Sequence, residues 1–109
     1  MLKKANRLAK ATDIQTAFAR GRTFFNPLFL IKALPYPGRK RFTVVVSTKV
    51  FKKAVARNRL KRIIRERLKK QLAALRDGDY VIMAKPKIAK LDDKEILPIF
   101  AEAMKKFLA

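Results

Sequence analysis

Hydrophobic and polar positions switch between two periods along this chain. Ile14, Ala17 and Phe18 fall at i, i+3 and i+4 behind Thr12-Asp13-Ile14-Gln15, which has the form of a capping box with Thr12 serving the amide of Gln15. Gly21 supplies a stop, so a short amphipathic helix is predicted over 13–20. From Arg22 the pattern turns to strand: 22–25, a break at Asn26-Pro27, then 28–34. Pro35-Tyr36-Pro37-Gly38 marks a turn, and 42–47 is the strongest β-branched run in the chain. Helical spacing returns over 53–75, where Leu60, Ile63, Ile64, Leu68, Leu72 and Leu75 share one broad apolar arc. A fourth strand is predicted at 80–84. The last helix opens at Asp92-Asp93-Lys94-Glu95, whose acids suit a helix N-terminus, and continues through Phe100, Met104, Phe107 and Leu108. Pro98 must then lie in its first turn or kink it.

The predicted order is α-β-β-β-α-β-α, an α+β fold with a single four-stranded sheet packed against helices. The three early strands read most economically as antiparallel neighbours. The path from 42–47 through the long helix to 80–84 fits a βαβ crossover, whose handedness these patterns leave open. The length suits one domain over residues 1–109, with a polar, basic segment at 1–11 expected to be loosely held.

Charge changes the picture. Twenty-eight Lys and Arg stand against eight acids, a net +20 with no histidine, on a chain that is 50% hydrophobic and so able to bury a core. A folded protein with a polyanion-binding surface is implied. With neither Cys nor His, disulfides, thiol or imidazole catalysis and Cys/His zinc sites are excluded. No apolar stretch follows the first charges as in a signal peptide, and no apolar run approaches membrane-spanning length, so a cytoplasmic location is expected.

Residues 49–70 hold eleven Lys or Arg and one acid, Glu66, a net ten that is half of the chain's total. On the helical wheel Asn58, Arg59, Arg62, Arg65 and Lys69 gather opposite the apolar arc. A charge run is ordinarily just a solvated face, but here almost nothing of opposite sign offsets the repulsion. A membrane-surface helix would need its apolar arc free, and the core needs that arc. Nucleic acid is the better partner, because arginine predominates over 57–67 and its planar fork suits phosphates and stacked bases.

Arg57-Asn58-Arg59-Leu60-Lys61-Arg62-Ile63-Ile64-Arg65-Glu66 resembles the RNR signature of the bacterial ribonuclease P protein component family. Ser47-Thr48-Lys49, Asn6-Arg7-Leu8, Asp13 to Phe18, Gly21-Arg22, Asp79-Tyr80-Val81-Ile82 and Ala84-Lys85-Pro86 extend the similarity over nearly the whole chain. The resemblance implies a left-handed crossover, against the usual right-handed rule. It implies the small subunit of a ribonucleoprotein endonuclease that removes the 5′ leader of precursor tRNA. Its partners would be ribonuclease P RNA, which would hold the catalytic Mg²⁺, and precursor tRNA; no organic cofactor, membrane or small-molecule substrate is implied.

Carried over by position, the catalytic RNA would meet Arg57, Asn58, Arg59, Lys61, Arg62 and Arg65, with Lys69 on the same ridge and Lys49, Lys52 and Lys53 leading into it. A leader cleft would take in Ile14, Phe18, Leu30, Lys32, Val45 and Ser47. Ile14 and Lys32 stand where the family often has aromatics, which shifts leader binding from stacking toward phosphate contacts. Phe18 is equally consistent with simple core packing.

Asp13, Glu66, Asp77, Asp79, Asp92, Asp93, Glu95 and Glu102 are the only acids. Metal-dependent RNA cleavage by a protein requires converging carboxylates. These lie mostly at helix starts and a glycine turn, so no catalytic or metal-ligating residue is expected in this chain. The competing reading is a non-enzymatic RNA-binding protein such as a ribosomal protein.

Overall fold

The computed structural model describes residues 2–109. Its order is α1 (Ala11–Arg20), β1 (Arg22–Phe25), β2 (Phe29–Pro35), β3 (Lys40–Val45), α2 (Ala54–Gln71), β4 (Gly78–Ala84) and α3 (Asp93–Met104), joined in places by single 3-10 turns. This is the predicted α+β order.

The sheet runs β1-β2-β4-β3, with β1–β2 and β2–β4 antiparallel and β3–β4 parallel. The expectation that the first three strands are neighbours therefore fails at one joint, where β4 inserts between β2 and β3. Gly78, Asp79, Tyr80, Val81 and Ile82 are all buried, and a strand apolar on both faces belongs inside a sheet. Returning from β3 through α2 into a parallel position makes the link a βαβ unit, as the spacing suggests.

One face of the sheet carries Phe29, Ile31, Phe42, Val44, Tyr80 and Ile82 into the main core, against Leu60, Ile64 and Leu68 of α2 and Ile96, Phe100 and Met104 of α3. Phe42 stacks on Tyr80 with ring centroids 4.8 Å apart, and Phe29 tilts against Phe100 at 5.2 Å. Burial pushes the Tyr80 phenol up to about 12, and its hydroxyl donates to the Arg76 carbonyl at 2.6 Å. The opposite face holds a smaller cluster in which Ile14 and Ala17 of α1 meet Leu34, Val45, Val81 and Met83.

Several local expectations shift. α1 starts one residue before Thr12, with no side-chain cap; Thr16 Oγ1 donates instead to the Thr12 carbonyl, so Thr12 is helical rather than capping. Gly21 ends α1 without a positive φ, and it is needed for space: a Cβ there would sit 2.4 Å from the Ala17 carbonyl oxygen. Asp92 and Glu95 form the capping box of α3. Pro98 lies in the second turn of α3, beyond the position where its missing N–H would be harmless.

The N-terminal segment departs further from expectation. Leu2 and Leu8 are buried, the Leu8 amide donates to the Phe42 carbonyl at 2.8 Å, and Asn6 donates to the Lys40 carbonyl. Residues 2–8 are thus anchored along β3 by apolar burial that a count of charges conceals. Met1 lies outside the described residues.

Asp79, 2% exposed, is the one buried charged side chain among the described residues. Arg41, its partner in the β3–β4 register, donates to both carboxylate oxygens at 3.0 and 2.9 Å; Arg39 does the same at 3.2 and 2.6 Å. Arg41 also reaches Asp13 of α1 at 3.3 Å. Burial by itself would raise the Asp79 carboxyl, but the hydrogen bonds and charges of Arg41 and Arg39 outweigh it and hold the group below its usual range. A carboxyl depressed on folding stabilises above its unfolded value and loses that contribution as pH falls through the folded one. Asp79→Asn should therefore cost about 3 kcal/mol near neutral pH and flatten the acid limb of the stability curve, as urea unfolding at stepped pH will read.

Candidate nucleic-acid interface

α2 presents the basic ridge because its other face is locked in the core. Leu60, Ile64 and Leu68 are buried, while Asn58, Arg59, Arg62 and Lys69 are exposed and Lys61 and Arg65 half-buried. The arginines divide by role. Arg57 turns back to donate to the Phe51 and Lys52 carbonyls at 2.9 and 2.7 Å, clamping the loop that enters the helix. Arg59 pairs with Asp93 at 2.7 Å and ties α2 to α3. Arg62 and Arg65 instead line a recess of about 230 Å³ with Leu2, Arg7 and Glu66. Arg7 thus joins the basic surface from the N-terminal segment, although its Nε is committed to the Leu2 carbonyl. Lys49, Lys52 and Lys53 are exposed on the loop before α2.

The second feature is a groove on the sheet's other face. α1 crosses from β3, where Asp13 meets Arg41, to β2, where Gly21 sits on Ala33. It covers only part of the sheet. In register beyond it lie two rows: Thr23, Lys32, Val81 and Thr43, then Phe25, Leu30, Met83 and Val45. Of these only Val81 is buried.

Of the expected cleft residues, Phe18 is 42% exposed, with the Lys32 Nζ 5.2 Å from its ring centroid. It is therefore no core residue. Leu30 and Val45 flank Met83 on the floor. Ile14 is half-buried in the small cluster, where it supports α1 rather than offering a stacking surface. Ser47 stands apart, beyond the end of β3, its Oγ accepting from the Lys49 amide. Phe25, 68% exposed, and Lys85, whose Nζ lies 5.0 Å from the Phe25 ring, belong to the same end of the face and were not expected there. Phe24-Phe25 reads as two equivalent apolar positions until strand pairing shows that Phe24 packs on Phe107 and Phe25 points away.

The acids are engaged elsewhere. Asp13 and Asp79 hold arginines, Asp77 accepts from the Gly38 amide at 2.9 Å, Asp92 and Glu95 cap α3, Asp93 holds Arg59, and Glu102 pairs with Lys105. Among the described residues no three carboxylates converge, so the donor set does not fit a metal pair. Nor is any described helix long and apolar enough to cross a membrane.

Ridge and groove define an α+β protein of the nucleic-acid-binding class, with a basic helix face on one side and a half-buried groove on the other. The family model for ribonuclease P matches residues 2–108. The ribonuclease P protein component of Bacillus velezensis is 35% identical over 95 residues, covering 86% of this chain and 82% of that one. That of Lactiplantibacillus plantarum is 34% identical over 108 residues, covering 95% and 93%. The Staphylococcus aureus RNase P protein structure superposes with a TM-score of 0.84 at 26% identity, covering 94% of both chains. The chain therefore belongs to the ribonuclease P protein family and is the protein subunit of that RNA-binding, tRNA-processing endoribonuclease. Its membership implies a ribonuclease P RNA as partner and sets aside the non-enzymatic alternative.

Exposure separates groove residues from core residues in a direct way. Phe18→Ala should leave stability within about 0.5 kcal/mol of the parent, whereas Ile64→Ala should cost about 2–5 kcal/mol, both read from denaturant midpoints.

Proposed function

We propose that the chain, acting as one domain in the cytoplasm, bridges two RNAs, holding ribonuclease P RNA on the α2 ridge and the single-stranded 5′ leader of precursor tRNA in the groove. The observation that carries this reading is continuity. β3 and β4 are parallel, so Val45 and Met83 end the groove at the same edge of the sheet where residues 47–53 carry Lys49, Lys52 and Lys53 into α2. An RNA strand leaving the groove at that end would run toward the exposed lysines of this loop.

Within the ridge, Asn58, Lys61, Arg62, Arg65 and Lys69 are the side chains turned to RNA, while Arg57 and Arg59 act by fixing the entry loop and the α2–α3 contact. In the groove Phe18 offers a face to a base, Leu30 and Val45 an apolar floor, and Lys32 a phosphate contact, with Ile14 in support and Ser47 at the exit. The phosphodiester chemistry belongs to Mg²⁺ held by the RNA, and the protein's part is electrostatic: its field lowers the repulsion between catalytic and substrate RNAs.

Two results test the proposal. Reconstituted with ribonuclease P RNA, the protein should lower the Mg²⁺ midpoint for cleavage of leader-bearing precursor; an unchanged midpoint overturns the electrostatic role. Arg62→Ala with Arg65→Ala should leave the melting transition in place but weaken RNA affinity and reduce its salt dependence. In the parent that affinity should fall roughly 10³-fold or more between about 50 and 200 mM salt, if about six phosphates are neutralised.

A further inference from the structure

We infer that Phe25 and Lys85 form a second base-and-phosphate subsite in the groove, one row beyond Phe18 and Lys32, so that the leader is gripped at two positions. The inference rests on the leader reading above and adds residues to it. Phe18 and Lys32 set the pattern: an exposed ring with an ammonium 5.2 Å from its centroid, the ammonium also meeting the Thr23 hydroxyl at 2.5 Å. Phe25 and Lys85 repeat the pattern at 5.0 Å. Thr23 and Phe25 are two residues apart on β1 and so share a face, about 7 Å apart along the strand.

A single exposed aromatic is ordinary on a protein surface. This one is continuous with a groove, lies beside Leu30 in register, and carries its own cation. The pair is also unsuited to an apolar partner, because burying Phe25 against one would desolvate the Lys85 ammonium. A nucleotide satisfies both groups at once: every base has a face to stack, and every linkage has a charge to neutralise. Lys85 is steady in position because its amide donates to the Leu28 carbonyl at 2.8 Å, which fixes the backbone where β4 ends beside β2.

The test uses holoenzyme reconstituted from ribonuclease P RNA and precursor tRNAs carrying leaders of increasing length, from none upward. Phe25→Ala should weaken binding about tenfold, only for leaders long enough to reach both pairs, and should begin to cost at a different leader length from Phe18→Ala. Phe25→Tyr should retain affinity, and Lys85→Gln should lower the salt slope by about 0.7, the value for one single-strand phosphate contact. Melting of free Phe25→Ala protein should match the parent. If Phe25→Ala costs nothing at any length while Phe18→Ala does, or costs as much on leaderless tRNA, the second subsite is refuted and the groove reading stands. If neither variant responds to leader length, both fall.

Discussion

The extent to which α1 covers the sheet depends on the buried carboxylate of Asp79, which two arginines hold ionised in a site where an unpaired charge would be strongly destabilising. Arg41 spends one side of its fork on Asp79 and the other on Asp13, so the same pair that joins β3 to β4 fixes the start of α1. The end of the helix is fixed by steric contact, with Gly21 close against the Ala33 backbone. Held at both ends over one part of the sheet, α1 leaves the rest uncovered. The groove is a consequence of that anchoring, which is why its floor is apolar yet only half-buried.

The ridge on α2 is maintained against its own electrostatics. The helix begins without a side-chain cap or an acid in its first turn, and Lys52 and Lys53 precede it, a charge of the wrong sign for a helix N-terminus. Packing of Leu60, Ile64 and Leu68 supplies what local interactions withhold. A surface so organised favours any bound anion over water, and an RNA backbone supplies anions in series.

The division of labour within the ribonucleoprotein follows from the same accounting of groups. Carboxylates that a nuclease would turn on metal ions are here spent on arginines, turns and helix starts. In the role proposed above, what this chain contributes to cleavage is position and field, and both would draw on features the structure shows: a clamped entry loop at Arg57, a latch at Arg59, a locked strand pair at Asp79.

Periodicity and charge in the sequence by themselves determined the element order, the buried arc of α2 and the ridge opposite it, because a helix places residues on faces by spacing alone. The RNR block also pointed to the family, since ten consecutive residues carry that signature. Sequence could not decide which strand stands in the middle of the sheet, because the neighbours of β4 are set by contacts across tens of residues. It expected a loose N-terminus where Leu2 and Leu8 are buried, since two apolar residues among lysines carry no periodic signal. Nor could it separate Phe24 from Phe25, or see that Lys85 approaches a ring sixty residues away. Those facts arise only when strands pair, because pairing alone assigns each side chain to the core or to the groove.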